Sequence, residues 1–148
     1  MHPFDVKAAF AAKHAQHVVL VHFPIALFLT GVAFEQVAKW TKKAALETVA
    51  YLNIVTAAAF VIPVLASGIL AWQWQLEGMR LKGVLLLHVV LGSTSGVLIC
   101  VAAWARLRQH RSGAVRASYC ILLEGVTALL IILTGHLGGF LSGVNLPG

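Results

Sequence analysis

The sequence predicts an all-α integral membrane protein: a four-transmembrane-helix up-down-up-down bundle with both termini on the outer, periplasmic side. Three observations carry this. Apolar residues make up 59% of the 148 positions and charged residues 11%, and mean hydropathy is +0.87, which leaves too little polar surface for a soluble domain of this length. Four long apolar runs are joined by short polar connections. The basic residues are also unevenly divided between the two ends of those runs. Lys39, Lys42, Lys43, Arg106, Arg108, Arg111 and Arg116 fall at one end, against Lys7, Lys13, Arg80 and Lys82 at the other. By the positive-inside bias the richer end is cytoplasmic, in a bacterial inner membrane. The net charge of +6 is then mostly a topological signal, and no nucleic-acid partner is expected.

Residues 1–148 read as a single membrane domain, with no linker, low-complexity tract or evident internal repeat. Residues 1–16, with Phe4, Ala8 and Ala11 on one side and Lys7 and His14 on the other, suit an interfacial segment. The first span, 17–40, holds an uncharged run from Val18 to Phe34, enough to cross a hydrocarbon core of about 30 Å at about 1.5 Å per residue. It is too long for a cleavable signal and is expected to be retained. Pro24 starts its regular part or kinks it. The second span, 45–74, contains Pro63 and the small pair Ser67-Gly68, which allows close helix approach. A tight connection with Glu77, Gly78, Arg80 and Lys82 leads to the third span, 83–105. The fourth, 117–137, closes on Thr134-Gly135-His136-Leu137-Gly138-Gly139, where the paired glycines suit a helix C-terminus. Trp40 and Trp104 mark one interfacial belt, Trp72 and Trp74 the other.

This topology gathers histidines. Spans one and three start where span four ends, so His17, His22, His88 and His136 lie towards the outer side, and His110 lies towards the opposite one. An imidazole inside an apolar span needs a partner in the bundle. His22 and His88, each about five residues inside its span, are expected at similar depth. Spans one and three are expected to be diagonal, with axes about 12–14 Å apart. Two imidazoles reaching across that gap could ligate one haem b iron from opposite faces. Gly92, Ser95 and Gly96 following His88, and Ala26 following His22, would leave room for a flat macrocycle. His17 and His136, nearer the surface, would form a second ligand pair for another haem or would fix the propionates. The same residues could instead hold zinc or copper in a metal-binding or transport protein, although methionine is confined to Met1 and Met79, against soft copper(I) ligation. They could also be packed polar groups of a structural or assembly subunit. Cys100 and Cys120 read as buried thiols. Glu35 and Glu124, inside the spans towards the cytoplasmic end, are expected to pair with each other in protonated form or with a loop Arg, with proton handling as the alternative role.

The opening His17-Val18-Val19-Leu20-Val21-His22-Phe23-Pro24-Ile25-Ala26-Leu27, Ser67-Gly68 with Ala71-Trp72, His88, and the closing Thr134-Gly135-His136-Leu137-Gly138-Gly139 resemble the four-helix bacterial membrane family known as domain-of-unknown-function family 2231. The resemblance covers essentially the whole chain. It implies the four-helix fold and the positions of His17, His22, His88 and His136, and an association with Rieske-type or cytochrome modules. Where that family begins His-Pro, Val18 follows His17, and Phe140-Leu141-Ser142-Gly143 replaces its acidic residue and Leu-Val-Tyr. The resulting expectation is a membrane b-type cytochrome-like electron-transfer subunit, an electron relay more than an independent enzyme. It would sit in the lipid bilayer within a larger redox complex or a homodimer, exchanging electrons with quinone or a periplasmic electron carrier.

Overall fold

The computed structural model describes residues 13–113 and 118–142, and every described element is helical. Four helices follow in order: α1 Lys13–Thr41, α2 Ala44–Gln75, α3 Gly83–Ser112 and α4 Ser118–Leu141. Each is long and apolar enough to cross a membrane. Large side chains such as Ile62 and Leu122 are 75% and 70% exposed, as expected where the surrounding solvent is lipid and only the inter-helix seams need to be filled. Residues 1–12 of the expected interfacial segment, and Arg116, lie outside the described residues.

Helix α1 packs along α2, α2 along α3 and α3 along α4, while α1 and α4 touch at only a few points. Spans one and three are therefore diagonal, and the α1–α4 seam is the thin side of the bundle. The tightest approach is at Gly31 of α1. A Cβ there would lie 2.8 Å from Ile54 Cγ1 and 3.2 Å from the Ala50 carbonyl oxygen on α2. From the residues just before these, Asn53 Nδ2 donates to Thr30 Oγ1 at 3.3 Å across the same seam. The α2–α3 turn is tied by Trp72 Nε1 donating to the Met79 carbonyl at 2.8 Å.

Three helix limits differ from those expected, the first being the start of α1, at Lys13 and not at residue 17. Helix α3 runs two turns past Trp104, because Arg106 turns inward to a pair of carboxylates and Arg108 lies over the Trp104 ring, 4.6 Å from its centroid. Helix α4 continues through Gly138-Gly139 to Leu141 instead of ending there. Gly138 serves as a packing position, with His88 Cε1 3.3 Å from where its Cβ would be.

The buried stripes of the two helical hairpins share one spacing. Buried Pro24, Phe28 and Gly31 of α1 recur 71 positions later as buried Ser95, Ile99 and Ala102 of α3, and Glu35 recurs as Arg106. Buried Ala50, Ile54, Ala57 and Val61 of α2 recur 70 positions later as Cys120, Glu124, Thr127 and Ile131 of α4. His17-Val18-Val19-Leu20 and His88-Val89-Val90-Leu91 are the same four residues at equivalent places. Gly68 and Gly138 are also identical at equivalent places, and most other equivalent positions share burial without identity. Cys120 is buried as expected, but Cys100 is exposed on α3; both are free thiols.

Candidate functional site

The histidine end is built from two similar notches, one per hairpin. On α1, His17 lies in the seam with α2, its ring over Gly68, where a Cβ would meet His17 Cε1 at 3.1 Å. Its Nδ1 is 3.0 Å from Ser67 Oγ. On α3, His88 lies in the seam with α4 over Gly138, and its Nδ1 donates to the Thr134 carbonyl oxygen at 3.1 Å. In each case the glycine admits the ring and a neighbouring oxygen orients it.

Those oxygens fix the tautomers. A carbonyl only accepts, so His88 carries its proton on Nδ1 and leaves the Nε2 lone pair as its basic atom. The hydroxyl hydrogen of Ser67 goes to the Val64 carbonyl at 2.9 Å, so Ser67 Oγ accepts from His17 Nδ1 and the same tautomer follows. His22 Nδ1 likewise donates to the carbonyl of Val18 in its own helix. Anchoring one ring nitrogen to an oxygen is how proteins orient imidazoles that ligate metal through the other.

The register pairs His17 with His88. Glu35 and Arg106 are in direct contact, and each lies 18 residues from its histidine, roughly 27 Å along the axis. His17 and His88 therefore hold equivalent places in their helices, and both lie in line with the buried stripes. The expected depth match of His22 with His88 does not hold: His22 lies about 7 Å deeper than His17. At about 100° per residue it also points some 140° away from it, and it is exposed. His136 is exposed too, meeting the Phe140 ring edge-on with centroids 5.0 Å apart. His22 and His136 thus lie on the exposed surface of the helices, while His17 and His88 lie in the seams.

The small residues expected to leave room beside His88 are used by neighbouring helices. A Cβ at Gly92 would meet Thr134 Cγ2 at 3.3 Å, and one at Gly96 would meet Val61 Cγ1 at 3.0 Å. Ser95 is buried with its hydroxyl on the Leu91 carbonyl at 2.7 Å, and Ala26 is exposed. Below the histidine level the seams are therefore closed by helix contact.

Residues 13–144 match the family model described as a predicted membrane protein, DUF2231. The chain belongs to this family. No curated protein and no solved structure matches it. The DUF2231 match spans all four helices and both notches, from the first turn of α1 to beyond the end of α4.

A second polar cluster in this DUF2231 chain lies at the basic end. Arg106 Nη2 contacts Glu35 Oε2 and is 2.8 Å from Glu124 Oε1, to which Arg106 Nε also donates at 2.9 Å. Lys39 Nζ is 3.2 Å from Glu35 Oε1. Glu35 and Glu124 do pair with an arginine, but one inside α3 and not in a loop. Arg106 is the functional candidate that sequence reasoning missed. The available signal was its place in the spacing Ser95, Ile99, Ala102, Arg106, which continues the α3 core stripe.

Proposed function

We propose that the protein is a membrane electron-transfer subunit of the b-type cytochrome kind, with one haem b held at the histidine end by His17 and His88. One observation supports this reading: His17 and His88, at equivalent places on diagonal helices, each have Nδ1 within hydrogen-bond distance of an oxygen, the arrangement by which proteins orient imidazoles that ligate through Nε2. Bis-histidine haem ligation asks the protein for two imidazoles. A bare zinc or copper site asks for three or four donors, and among the described residues no three His, Cys, Asp or Glu side chains converge.

His17 and His88 would hold the haem, outside the seam closed at Gly92. Haem supplies one-electron chemistry when bound. The chain's contribution is to fix both rings through Ser67 and Thr134, to seat them on Gly68 and Gly138, and to keep the surroundings apolar, which sets the potential. The basic-residue asymmetry supports an orientation in which this end faces the periplasm of a bacterial inner membrane. Electrons would pass there to or from quinone, a periplasmic carrier or a haem in a partner subunit. A larger redox complex or a homodimer would cover the outward-facing His22 and His136.

The test is the haem content and reduced-minus-oxidised visible spectrum of protein purified after haem-replete expression. One haem per chain with a sharp reduced alpha band is expected. Colourless protein with stoichiometric zinc or copper would replace this reading with a non-haem metal protein, and colourless metal-free protein would replace it with a structural subunit.

A further inference from the structure

The outer edge of the α1–α2 seam carries a polar pair that electron relay does not use. Asn53 Nδ2 on α2 donates to Thr30 Oγ1 on α1 at 3.3 Å, and Thr30 is exposed while Asn53 is half-buried. Thr30 lies ten residues before Trp40, about 15 Å along the axis, which puts the pair well inside a hydrocarbon core about 30 Å thick. Seven residues back along α1 and seven forward along α2, Phe23 stacks on Phe60 with centroids 4.8 Å apart. Ala26 and Thr56, both exposed, lie between the two contacts. The edge is firmly presented, because the helices close on each other beside it: a Cβ at Gly31 would lie 3.2 Å from Asn53 Cβ.

The hydrogen bonding of Asn53 is half met. The Thr30 hydroxyl hydrogen goes to the Ala26 carbonyl at 2.7 Å, so Thr30 Oγ1 accepts and the amide atom facing it is Nδ2. That bond uses one of the two N–H groups. Among the described residues the other N–H and Oδ1 meet no partner. One turn on, the Thr56 hydroxyl makes no hydrogen bond among the described residues either, whereas Thr30, Thr48, Thr127 and Thr134 each donate to the carbonyl four residues back. In lipid an unmet amide is expensive, and a hydrocarbon tail offers it neither donor nor acceptor. What Asn53 has left is one donor and one acceptor, a self-complementary set. Two chains inserted the same way and related by a two-fold axis along the membrane normal bring the same residue to the same depth. Each amide then gives one N–H and accepts one, and the small side chains of Ala26, Thr30 and Thr56 let the helices approach closely enough.

We propose that a second copy of this chain docks on the outer α1–α2 edge, joined through a reciprocal amide pair between Asn53 and the partner's Asn53. A single asparagine at a matched position is a device that fixes register and oligomeric state between helices. Thr30 holds each amide in place, and Thr56 lies one turn away at the same interface. The dimer needs no haem, so it stands or falls separately from the cytochrome reading.

Energy transfer between donor- and acceptor-labelled full chains, reconstituted in phosphatidylcholine–phosphatidylglycerol bilayers over a range of protein-to-lipid ratios, tests this. The wild type should dimerise. Asn53→Leu, which keeps the side chain's size, should raise the dissociation constant about tenfold. Ile62→Ala, about 180° away around α2, should leave it unchanged. Independently, on a Cys100→Ser, Cys120→Ala background that keeps Asn53, Thr56→Cys should give a disulfide-linked dimer on oxidation in the bilayer and Ile62→Cys should not. A wild type that stays monomeric at every ratio would overturn the proposal and leave the edge to lipid or to a different subunit. An affinity unchanged in Asn53→Leu, or cross-linking through Ile62→Cys and not Thr56→Cys, would also overturn it.

Discussion

His88 on α3 donates from Nδ1 to the backbone carbonyl of Thr134 on α4 at 3.1 Å. Thr134's own hydroxyl bonds to the Leu130 carbonyl at 2.7 Å, so the acceptor belongs to the helix backbone and a Thr134 side-chain change leaves it in place. The ring is held instead by the space over Gly138, which gives the first prediction. Gly138→Val, whose added methyl groups must occupy the position of His88 Cε1, should displace the ring and abolish the haem spectrum while helix content by circular dichroism stays unchanged. Gly135→Ala, where a Cβ has open space, should leave the spectrum as in the wild type.

The α1–α2 contact sets the second prediction. A methyl group at Gly31 lies 2.8 Å from Ile54 Cγ1, and Ile54 is fully buried, so neither side can yield cheaply. Gly31→Ala should destabilise the protein by about 1–3 kcal/mol, read as a lower unfolding midpoint in detergent. Ile54→Ala in the same chain should recover part of that loss, giving a coupling term in a double-mutant cycle.

Much of the fold is legible in the sequence because span length and charge asymmetry act on composition alone. The four apolar runs, their alternation and the diagonal placement of the first and third helices all follow. Azimuth is harder to read. Counting residues from an expected membrane edge pairs His22 with His88, but α1 begins at Lys13 and gives His17 the place in α1 that His88 has in α3. The stripe Pro24, Phe28, Gly31, Glu35, with spacings of three and four, contains His17 and excludes His22. That stripe could have been read from sequence, although the apolar residues around all of α1 obscure it. The paired glycines misled for a physical reason: in lipid, glycine often admits a neighbour and does not end a helix. The shared pattern is hard to see because His-Val-Val-Leu is the one run of consecutive identities and the rest are scattered single positions such as Gly68 and Gly138, while Glu35 and Arg106 exchange charge to pair with each other.

The basic-end cluster gives a third prediction. Arg106→Met leaves Glu35 and Glu124 buried without their shared guanidinium and should cost about 3–5 kcal/mol, the range for an uncompensated buried charge. Adding Glu35→Gln and Glu124→Gln removes the uncompensated charges and should restore most of the unfolding midpoint. An Arg106→Met protein as stable as the wild type would mean that the ion pairs do not hold the hairpins together.

Orientation gives a fourth. On a Cys100→Ser, Cys120→Ala background, a cysteine at position 43 should react with an impermeant thiol reagent only from the cytoplasmic side of inverted vesicles, and one at position 80 only from the periplasmic side. The opposite labelling would move the histidine end to the cytoplasm and exclude a periplasmic carrier as its partner.

The most direct test is the reduced-minus-oxidised visible spectrum of the wild type beside His17→Ala, His88→Ala and His22→Ala, each purified after haem-replete expression. The account predicts a sharp reduced alpha band in the wild type, retained in His22→Ala and lost in both His17→Ala and His88→Ala. A featureless wild-type spectrum, or a band that survives in His17→Ala and disappears in His22→Ala, would contradict it.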